Sequence, residues 1–418
     1  MTQDQALAIL ERGDSVLLTG AAGTGKTYLL NKFIKRAKKS GKNVAVTATT
    51  GLAATHLNGN TIHSWAGIGI QDELPKKFFQ KMSNQRKDII KKADILVIDE
   101  ISMLHDFRLD MIDNVLQQVR EDPEPFGGIQ VVLCGDFFQL PPINRREGKR
   151  GGFIHGSEVW QRDCFTVCYL VDQYRQTNDL AYSSILNGIR AGELKQSQLE
   201  ALYARKNAID DPFTTRTKLL TTNADVDAIN QQHLDQLGGK TYKYKMEANG
   251  GKQFIETLKR SCLAPELLML KKDAVVMCIK NAPNKSYVNG SLGVVVDFDE
   301  DDDSPVVRLS NGRTITMSPS SWELRDGDRV RASITQLPIR LAWAITVHKS
   351  QGMTLDSASI DLSNAFVEGM GYVALSRVRG FDDLILEGIN GMALKTSPIA
   401  RQIDLELRKA SEQSLASN

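Results

Sequence analysis

The sequence predicts a doubly wound α/β protein, because short β-rich apolar runs alternate with helical patterns. Four of these runs are typical of buried parallel strands: residues 15–20, 43–49, 94–100 and 129–136. The segments between them are long enough for the crossover helices that parallel strands require. A second series of apolar runs, at 217–223, 357–362 and 383–389, predicts a second α/β region.

The helix after the first strand is predicted to begin within "GKTYLLNKF" and to end near Gly41. Its apolar positions recur at helical spacing and predict one buried stripe: Leu29, Leu30, Phe33, Ile34 and Ala37. Residues 232–332 differ from their surroundings, with short alternating runs and an Asn311-Gly312 pair that predicts a hairpin. We therefore expect a small all-β module inserted into the second α/β region.

Composition narrows the class of protein. With 418 residues and ordinary apolar and charged fractions, the chain is long enough for two or three domains. A net charge of +2 neither requires nor excludes a nucleic-acid partner. Five cysteines without a CxxC pair argue against a disulfide framework and a zinc ribbon. Since no apolar stretch has membrane-spanning length, we expect no membrane and a cytoplasmic, nucleoid-associated location.

The stretch "GAAGTGKT" fits the phosphate-binding pattern G-x-x-x-x-G-K-[ST], with Gly20, Gly25, Lys26 and Thr27 in register. Glycines allow backbone N–H groups to approach phosphate oxygens, and the helix that follows directs its positive end at them. Lys26 is predicted to reach the β- and γ-phosphates, and Thr27 to hold Mg²⁺. The same predicted cradle includes the neighbouring positions Ala21, Ala22, Gly23, Thr24 and Tyr28.

Two further strand ends carry polar residues suited to phosphoryl chemistry. In "ILVIDEIS", Asp99 is predicted to hold the metal ion, and Glu100 to act as the base that activates water. In "LCGDFFQLPPI", Gln139 could sense the γ-phosphate, because its amide both donates and accepts hydrogen bonds. These residues predict a nucleoside triphosphatase of the P-loop class and leave kinase, GTPase and motor functions open.

Two arginines, Arg175 and Arg377, lie in the predicted second α/β region, far from the phosphate loop in sequence. Arginines that approach a transferring phosphoryl group stabilise its charge in the transition state. If both reach the nucleotide from a second domain, hydrolysis would be coupled to domain closure. A surface ion pair is the alternative explanation for each arginine.

The order of motifs resembles that of Pif-family helicases, on the RecD-like 5′-to-3′ branch of superfamily one. The matching stretches are "GAAGTGKT", "TATTGLAATHLNGNTIHSWAGI", "VIDEIS", "PFGGIQVVLCGDFFQLPP", "QYRQ", "LAWAITVHKSQGMTLDS" and "YVALSR". The resemblance implies ATP and Mg²⁺ as cofactors, Gln5 as the residue that reads adenine, and Gly352 near the γ-phosphate. The resemblance also implies roles in DNA repair and DNA recombination, in a family associated with telomere maintenance.

The resemblance implies two RecA-like parallel-sheet P-loop domains with a small wedge and an SH3-like all-β insertion. The first domain, called 1A, would span 1–170 and contain a 1B wedge at about 52–88. The second, called 2A, would comprise 171–231 and 333–418, and the SH3-like 2B insertion would be 232–332.

The predicted DNA path combines small hydroxyl, aromatic and basic side chains, which suit contacts to phosphates and stacking on bases. Buried packing is the ordinary alternative for Trp65, and a core position is the alternative for His348. The DNA-contacting candidates are Thr49, Gly51, His63, Trp65, Thr222, Asn223, Thr346, His348 and Lys349.

The expected partners are single-stranded DNA and fork or G-quadruplex DNA, with the protein a monomer that DNA could bring together as a dimer. Two positions depart from the family pattern: Met370 stands where Gln is frequent, and Asp273 where Gly is usual. A translocase that displaces proteins without unwinding is the second hypothesis, and deletion of 52–88 would distinguish the two. A small-molecule kinase or GTPase is the third, and it would lack stimulation by DNA.

Overall fold

The computed structural model describes residues 1–418 except 58, 70, 145–147, 163, 177–178, 208–215, 283, 285, 327–328 and 417–418. The chain forms two compact units. Unit 1 consists mainly of Met1–Thr177 together with Thr396–Asn418, and unit 2 consists of Asn178–Arg325 and Val330–Lys395.

Unit 1 contains a six-stranded parallel sheet with the strand order β3-β2-β4-β5-β1-β6. Its strands are β1 (Val16–Gly20), β2 (Val44–Ala48), β3 (Asn60–Thr61), β4 (Ile95–Asp99), β5 (Gln130–Gly135) and β6 (Thr166–Leu170). Its first seven helices are α1 (Gln3–Arg12), α2 (Lys26–Lys39), α3 (Gly51–His56), α4 (Ile62–Trp65), α5 (Phe78–Lys81), α6 (Asn84–Lys92) and α7 (Asp106–Arg120). The predicted doubly wound α/β class is confirmed.

Helix α2 follows the phosphate loop as its sequence pattern predicts. Its buried side chains are the five of the predicted stripe, Leu29, Leu30, Phe33, Ile34 and Ala37. They join one apolar cluster with β1, β4 and β5, including Leu18, Val97 and Val132. Since burial of each such side chain stabilises the fold by about 1.5–3 kcal/mol, this face holds α2 against the sheet. Gly41 follows the helix with φ 81°, the left-handed geometry that favours glycine after a helix end.

The predicted wedge at 52–88 is only partly an insertion. Strand β3 pairs with β2 in parallel, Thr47 opposite Asn60, so this part of the segment belongs to the main sheet. Helix α3 packs on β2 through Ala53 and Ala54. A two-residue strand such as β3 has no alternation pattern, which is why the sequence does not predict it. The rest of the segment follows α4, includes the short helix α5 and extends into α6.

The segment "EDPEPFGGIQ" after α7 contains four residues with left-handed backbone geometry, at φ values from 55° to 71°: Glu121, Phe126, Gly127 and Gly128. The buried carboxylate of Asp113 accepts a hydrogen bond from the Phe126 N–H at 2.6 Å. Arg120 donates from Nε to the Gly127 carbonyl at 2.6 Å. Its Nη1 reaches the carbonyls of Ile90, Lys91 and Ala93 at 3.3, 3.0 and 3.1 Å. This arginine therefore joins the ends of α6 and α7.

We expect Arg120→Ala to destabilise unit 1, because four carbonyl oxygens lose one shared charged donor. A loss of about 1–3 kcal/mol follows from the cost of leaving such groups unpaired. Thermal denaturation followed by circular dichroism measures it, with the exposed Lys92→Ala on α6 as the control. Equal midpoints for both variants would contradict the role assigned to Arg120.

Unit 2 contains a four-stranded parallel sheet, β18-β7-β19-β20, and three antiparallel sheets, β14-β13-β12-β11-β17, β15-β16-β9 and β10-β8, among the residues described. Its helices are α8 (Leu180–Ala191), α9 (Gln196–Ala204), α10 (Asn223–Gln236), α11 (Lys252–Ser261), α12 (Val347–Ser350) and α13 (Met370–Leu375). Its strands are β7 (Thr217–Leu220), β8 (Tyr242–Lys245), β9 (Glu247–Gly250), β10 (Leu267–Leu270), β11 (Val275–Cys278), β12 (Leu292–Phe298), β13 (Pro305–Leu309), β14 (Thr314–Thr316), β15 (Ser320–Asp326), β16 (Arg329–Gln336), β17 (Ile339–Leu341), β18 (Ala344–Thr346), β19 (Ala358–Leu362) and β20 (Leu384–Ile389).

The antiparallel module is shifted relative to the predicted bounds of 232–332. Helix α10 runs through its predicted start, and β16 runs through its predicted end. Strand β17 pairs with β11, Met277 opposite Arg340, so the module extends to Leu341. At the C-terminal boundary the strands continue past residue 332, and periodicity alone does not tell which sheet a strand joins.

The predicted Asn311-Gly312 hairpin occurs in the structure, and Asp273 forms a second turn of the module. Gly312 lies between β13 and β14 with φ 83°, and the Arg313 N–H donates to Asn311 Oδ1 at 3.1 Å, as expected for a hairpin. Asp273 adopts φ 69° and donates its N–H to the Val295 carbonyl at 2.8 Å. The family glycine at this position is thus explained, because the turn needs a left-handed residue. Met370, the other departure, is fully buried at the start of α13.

The C-terminal helix α14 (Pro398–Ala416) packs on β6 of unit 1. The Tyr169 N–H donates to Ser411 Oγ at 3.1 Å, and its hydroxyl donates to Asp404 Oδ1 at 2.7 Å. The predicted second domain included 333–418, so the structure differs here. The helix follows β20 without a sequence signal for leaving its domain, and its partner strand lies more than two hundred residues earlier.

No helix among the described residues is both long and apolar enough to cross a bilayer.

Candidate functional site

The phosphate loop lies between β1 and α2, at the carboxyl edge of the unit 1 sheet. Gly20 has φ 145°, and a Cβ there would stand 2.6 Å from the Leu170 carbonyl oxygen of the neighbouring strand. Gly25 has φ 78° at the N-cap of α2 and offers no side chain to the helix N–H groups. The first turn of a fourteen-residue helix is thus open to an anion.

The ammonium group of Lys26 lies inside the loop. Its Nζ donates to the carbonyls of Gly20 and Ala21 at 2.8 and 2.9 Å. Thr24 Oγ1 also donates to the Ala21 carbonyl, at 2.9 Å. Thr27 and Tyr28 are exposed at the start of α2. In the predicted cradle, the lysine side chain therefore turns back and binds the carbonyl groups of the loop itself.

The acidic pair ends β4, two strands from β1. Asp99 is buried, and burial raises the pKa of its carboxyl group; the Glu100 N–H, the Cys134 thiol and the charge of Lys26 act in the opposite direction. Asp99 Oδ1 accepts the Glu100 N–H at 2.9 Å. Glu100 itself has φ 55°, a strained conformation for a non-glycine residue. Asp99 is thus buried at the end of the strand, and Glu100 is half-buried in the turn that follows.

Thr49, predicted to contact DNA, is tied to this pair. Its N–H donates to the Asp99 carbonyl at 3.1 Å, and its Oγ1 donates to the Glu100 carbonyl at 2.8 Å. Gly51 begins α3 two residues later. The "TATTG" segment is thus joined by hydrogen bonds to the acidic pair, which provides a direct connection between a predicted DNA contact and the predicted base.

Gln139 lies in the loop that follows β5, the strand between β4 and β1. Its side chain is buried, and its Oε1 has no hydrogen-bond partner among the residues that the structure describes. A buried acceptor without a partner costs about 1–3 kcal/mol, and a catalytic role is one of the explanations for such a group. An attacking water or a phosphate-bound group would satisfy this amide.

The donors at this edge fit a magnesium ion. Mg²⁺ prefers oxygen ligands and keeps several waters. The Thr27 hydroxyl is exposed at the start of α2, and the Asp99 carboxylate lies at the end of β4 in the same sheet. Their residue types match the predicted metal ligands. Among the described residues, no group of three or more His, Cys, Asp or Glu side chains suggests another metal site.

Arg175 lies in a different unit of the chain from the one that the sequence predicted. The segment 171–231 was assigned to the second domain, but Arg175 belongs to unit 1, beside the phosphate loop. A Cβ on Gly23 would stand 2.8 Å from Arg175 Cβ. The motif "QYRQ" therefore contacts the loop within its own unit, because β6 leads the chain directly back to it.

Gln5 and Gln3, two residues apart at the start of α1, make different contacts. The Gln5 side chain is exposed and closes a capping box, accepting the Thr2 N–H at 2.9 Å. Gln3 instead donates from Nε2 to the Thr24 carbonyl at 3.3 Å. The sequence-based prediction chose Gln5 and missed Gln3, Gln173 and Tyr174, which all contact the loop. Only "QYRQ" carried a signal that could have pointed to the last two.

In unit 2, Arg377 is almost fully buried after α13. Its guanidinium donates to the carbonyls of Val373, Ser350 and Met353, and to Ser376 Oγ, at 2.8 to 3.3 Å. These bonds join the "YVALSR" motif to the "TVHKSQG" motif. Gly352 lies in the adjoining turn with φ 79° and is exposed.

The DNA candidates of unit 2 converge at one edge of its parallel sheet. Strands β7 and β18 are neighbours, with Leu220 opposite Thr346, so the residues that follow each strand lie at the same edge. Thr222 caps α10 and Thr346 caps α12 through their side-chain oxygens. Burial lowers the pKa of His348, whose ring stacks on that of the exposed Phe366. Asn223 is exposed, and burial lowers the pKa of the half-buried Lys349.

His63 and Trp65 lie on the short helix α4 of unit 1. Trp65 is buried, and His63 is half-buried. The packing alternative thus describes Trp65 in this structure.

Comparison with known proteins decides the family. Residues 3–200 match the model of the PIF1-like helicase, and residues 253–298 match that of the DNA helicase Pif1 2B domain. An ATP-dependent DNA helicase Pif1 of Psychrobacter sp. is 40% identical over 98% of this chain and 71% of its own length. The chain belongs to the PIF1-like helicase family. A human relative named ATP-dependent DNA helicase PIF1 is 35% identical over 100% of this chain, which spans 65% of that relative's length.

Solved structures of PIF1-like helicases share the fold. Bacteroides sp. Pif1 in complex with ADP-AlF4 has a TM-score of 0.84 and 32% identity, covering 97% of this chain and 96% of that one. Bacteroides Pif1 bound to single-stranded DNA has a TM-score of 0.69 and 33% identity, covering 99% of this chain and 97% of that one.

Proposed function

We propose that this chain is an ATP-dependent DNA helicase that moves 5′ to 3′ on single-stranded DNA and unwinds duplex or structured DNA. The observation that carries the proposal is the edge of the unit 1 sheet. There the phosphate loop with Lys26 follows β1, and Asp99 and Glu100 lie at the end of β4. Gln139 follows β5, and its Oε1 has no partner among the residues that the structure describes. Two relatives that are named ATP-dependent DNA helicases are 40% and 35% identical to this chain over nearly its whole length, which supports the proposal.

The residues of the edge have separate tasks in the proposed hydrolysis. The loop N–H groups and Lys26 bind the phosphates, and Glu100 takes a proton from the attacking water. Gln139 orients that water through its unpaired Oε1. Thr27 and Asp99 would hold Mg²⁺, which neutralises charge on the phosphate oxygens when bound. Arg175, beside Gly23, adds positive charge near the loop, and Arg377 is proposed as the second arginine.

The proposed DNA path uses both units. Thr49, Gly51 and His63 serve unit 1, and the shared strand edge with Thr222, Thr346 and Lys349 serves unit 2. The Thr49 bonds to Asp99 and Glu100 provide a physical link from the DNA strand to the base. The part of 52–88 outside the main sheet is proposed to separate the strands, and the protein to act as a monomer that DNA can bring into dimers.

Unwinding of two partial duplexes tests the proposal. One carries a 5′ single-stranded tail and the other a 3′ tail, with ATP and Mg²⁺ present. We expect the 5′-tailed substrate alone to open, because the family branch moves in that direction. Opening of the 3′-tailed substrate alone would overturn the polarity. Opening of neither, with DNA-stimulated ATP hydrolysis intact, would favour the translocase that displaces proteins.

A further inference from the structure

Every carbonyl oxygen of the phosphate loop, from Gly20 to Gly25, accepts a hydrogen bond. Lys26 supplies the first two, at Gly20 and Ala21. The Gly25 carbonyl accepts the Leu29 N–H within α2 at 3.0 Å. The three carbonyls between them, which belong to Ala22, Gly23 and Thr24, are bound by residues from outside the loop.

Two of these outside donors are glutamine side chains. Gln173 donates from Nε2 to the Ala22 carbonyl at 2.8 Å. Gln3 donates from Nε2 to the Thr24 carbonyl at 3.3 Å. The third donor is the backbone N–H of Tyr174, which reaches the Gly23 carbonyl at 2.9 Å. Gln3 comes from α1 and Gln173 follows β6, so the loop is held from two sides of unit 1.

A peptide group is planar and trans, so its carbonyl and the following N–H point in opposite directions. A donor that holds the Ala22 carbonyl therefore also sets the direction of the Gly23 N–H. In the same way, a donor on the Thr24 carbonyl sets the direction of the Gly25 N–H. Phosphate cradles bind through such N–H groups. The two glutamines thus act on the groups that nucleotide binding needs.

We infer that Gln3 and Gln173 are positioning residues that direct the N–H groups of Gly23 and Gly25 at the nucleotide phosphates. This inference rests on the proposed function, since it assigns a nucleoside di- or triphosphate to the loop. Neither glutamine touches the phosphates, and each acts through a loop carbonyl.

Close packing supports this arrangement. A Cβ on Gly23 would stand 2.1 Å from Gln173 Oε1, and one on Gly25 would stand 2.2 Å from Gln3 Nε2. Glycine at both positions therefore leaves room for a glutamine as well as for a phosphate. Gln173 Oε1 also accepts the N–H groups of Tyr174 and Arg175, at 3.1 and 3.3 Å. One side chain thus joins the loop to the backbone of the proposed catalytic arginine.

Binding of ADP and AMP to the whole chain, measured by calorimetry with Mg²⁺, tests the inference. The variants are Gln3→Ala, Gln173→Ala and Gln173→Glu. Gln173→Glu keeps an oxygen that can accept both N–H bonds, and it replaces the donor to Ala22 with a negatively charged acceptor. We expect ADP affinity to fall about fivefold to tenfold in Gln3→Ala, the effect of one lost hydrogen bond, and by at least as much in the two Gln173 variants. The preference for ADP over AMP should fall too, and the KM for ATP should rise more than kcat falls.

Gln402→Ala is the matched control, because Gln402 is an exposed glutamine of unit 1 whose amide bonds only to Glu406 within α14, at 3.2 Å, among the bonds described. Thermal midpoints show that each variant is folded. Wild-type ADP affinity in Gln173→Glu and Gln3→Ala would overturn the inference and leave the proposed function intact. Absence of ADP binding by the wild-type chain would instead overturn the proposed function.

Discussion

Replacement of Lys26 by alanine is expected to abolish ATP hydrolysis. Its ammonium group lies among the loop carbonyls, and the motif assigns it to the β- and γ-phosphates. Loss of one such preorganised charge lowers kcat by about a hundredfold or more. Steady-state release of phosphate in the presence of single-stranded DNA measures the effect. Some DNA affinity should remain, because the proposed DNA contacts lie on other residues.

Lys35→Ala provides the control for Lys26. Lys35 is an exposed lysine of the same helix α2 and is absent from the phosphate motif. The Lys35→Ala variant should hydrolyse ATP at the wild-type rate. Normal ATPase activity in Lys26→Ala would show that the nucleotide binds elsewhere, and the whole site would then be wrong.

Replacement of Glu100 by glutamine is the second change with a large expected effect. The amide keeps the size of the side chain and cannot take a proton from water. We expect ATP to bind with its affinity retained while hydrolysis slows by about 10²–10⁴-fold, the usual contribution of a general base. Rapid mixing with radiolabelled ATP should then show trapped ATP in place of ADP.

Glu121→Gln is a matched control for this change. Glu121 is also an acid with left-handed backbone geometry, at φ 60°, but it is exposed at the end of α7 and pairs with Lys91. Any effect of Glu-to-Gln exchange on a strained backbone should appear in both variants. A rapid burst of ADP from Glu100→Gln would assign the base to another residue.

Sequence reasoning predicted much of unit 1. Strands β1, β2, β4 and β5 occur at the continuous apolar runs of the sequence, and α2 buries its predicted stripe of apolar residues. Such runs are reliable because strands buried on both faces need apolar side chains throughout. The phosphate loop and the acidic pair could also be proposed from the sequence, since their chemistry requires particular residues at fixed spacing, and their roles stay predictions.

The boundaries of domains and modules were harder to predict from the sequence where they depend on pairing with distant elements. The short strand β3 joins the main sheet inside the predicted wedge, and β17 joins the antiparallel module beyond its predicted end. Helix α14 packs on unit 1 although it follows unit 2 in the chain. Periodicity describes which face of an element is buried, and it carries no information on which other element covers that face.

The sequence by itself determined the kind of chemistry, because Lys26, Thr27, Asp99 and Glu100 are selected by what phosphates and Mg²⁺ require of residue types. Only the tertiary structure decided which side chains hold those groups in place. Gln3 and Gln173 lie far apart in the chain and reach the same loop because the start of α1 and the end of β6 both lie beside it. A side chain that acts through a carbonyl needs only a donor at the correct point in space, so it leaves no spacing rule in the sequence.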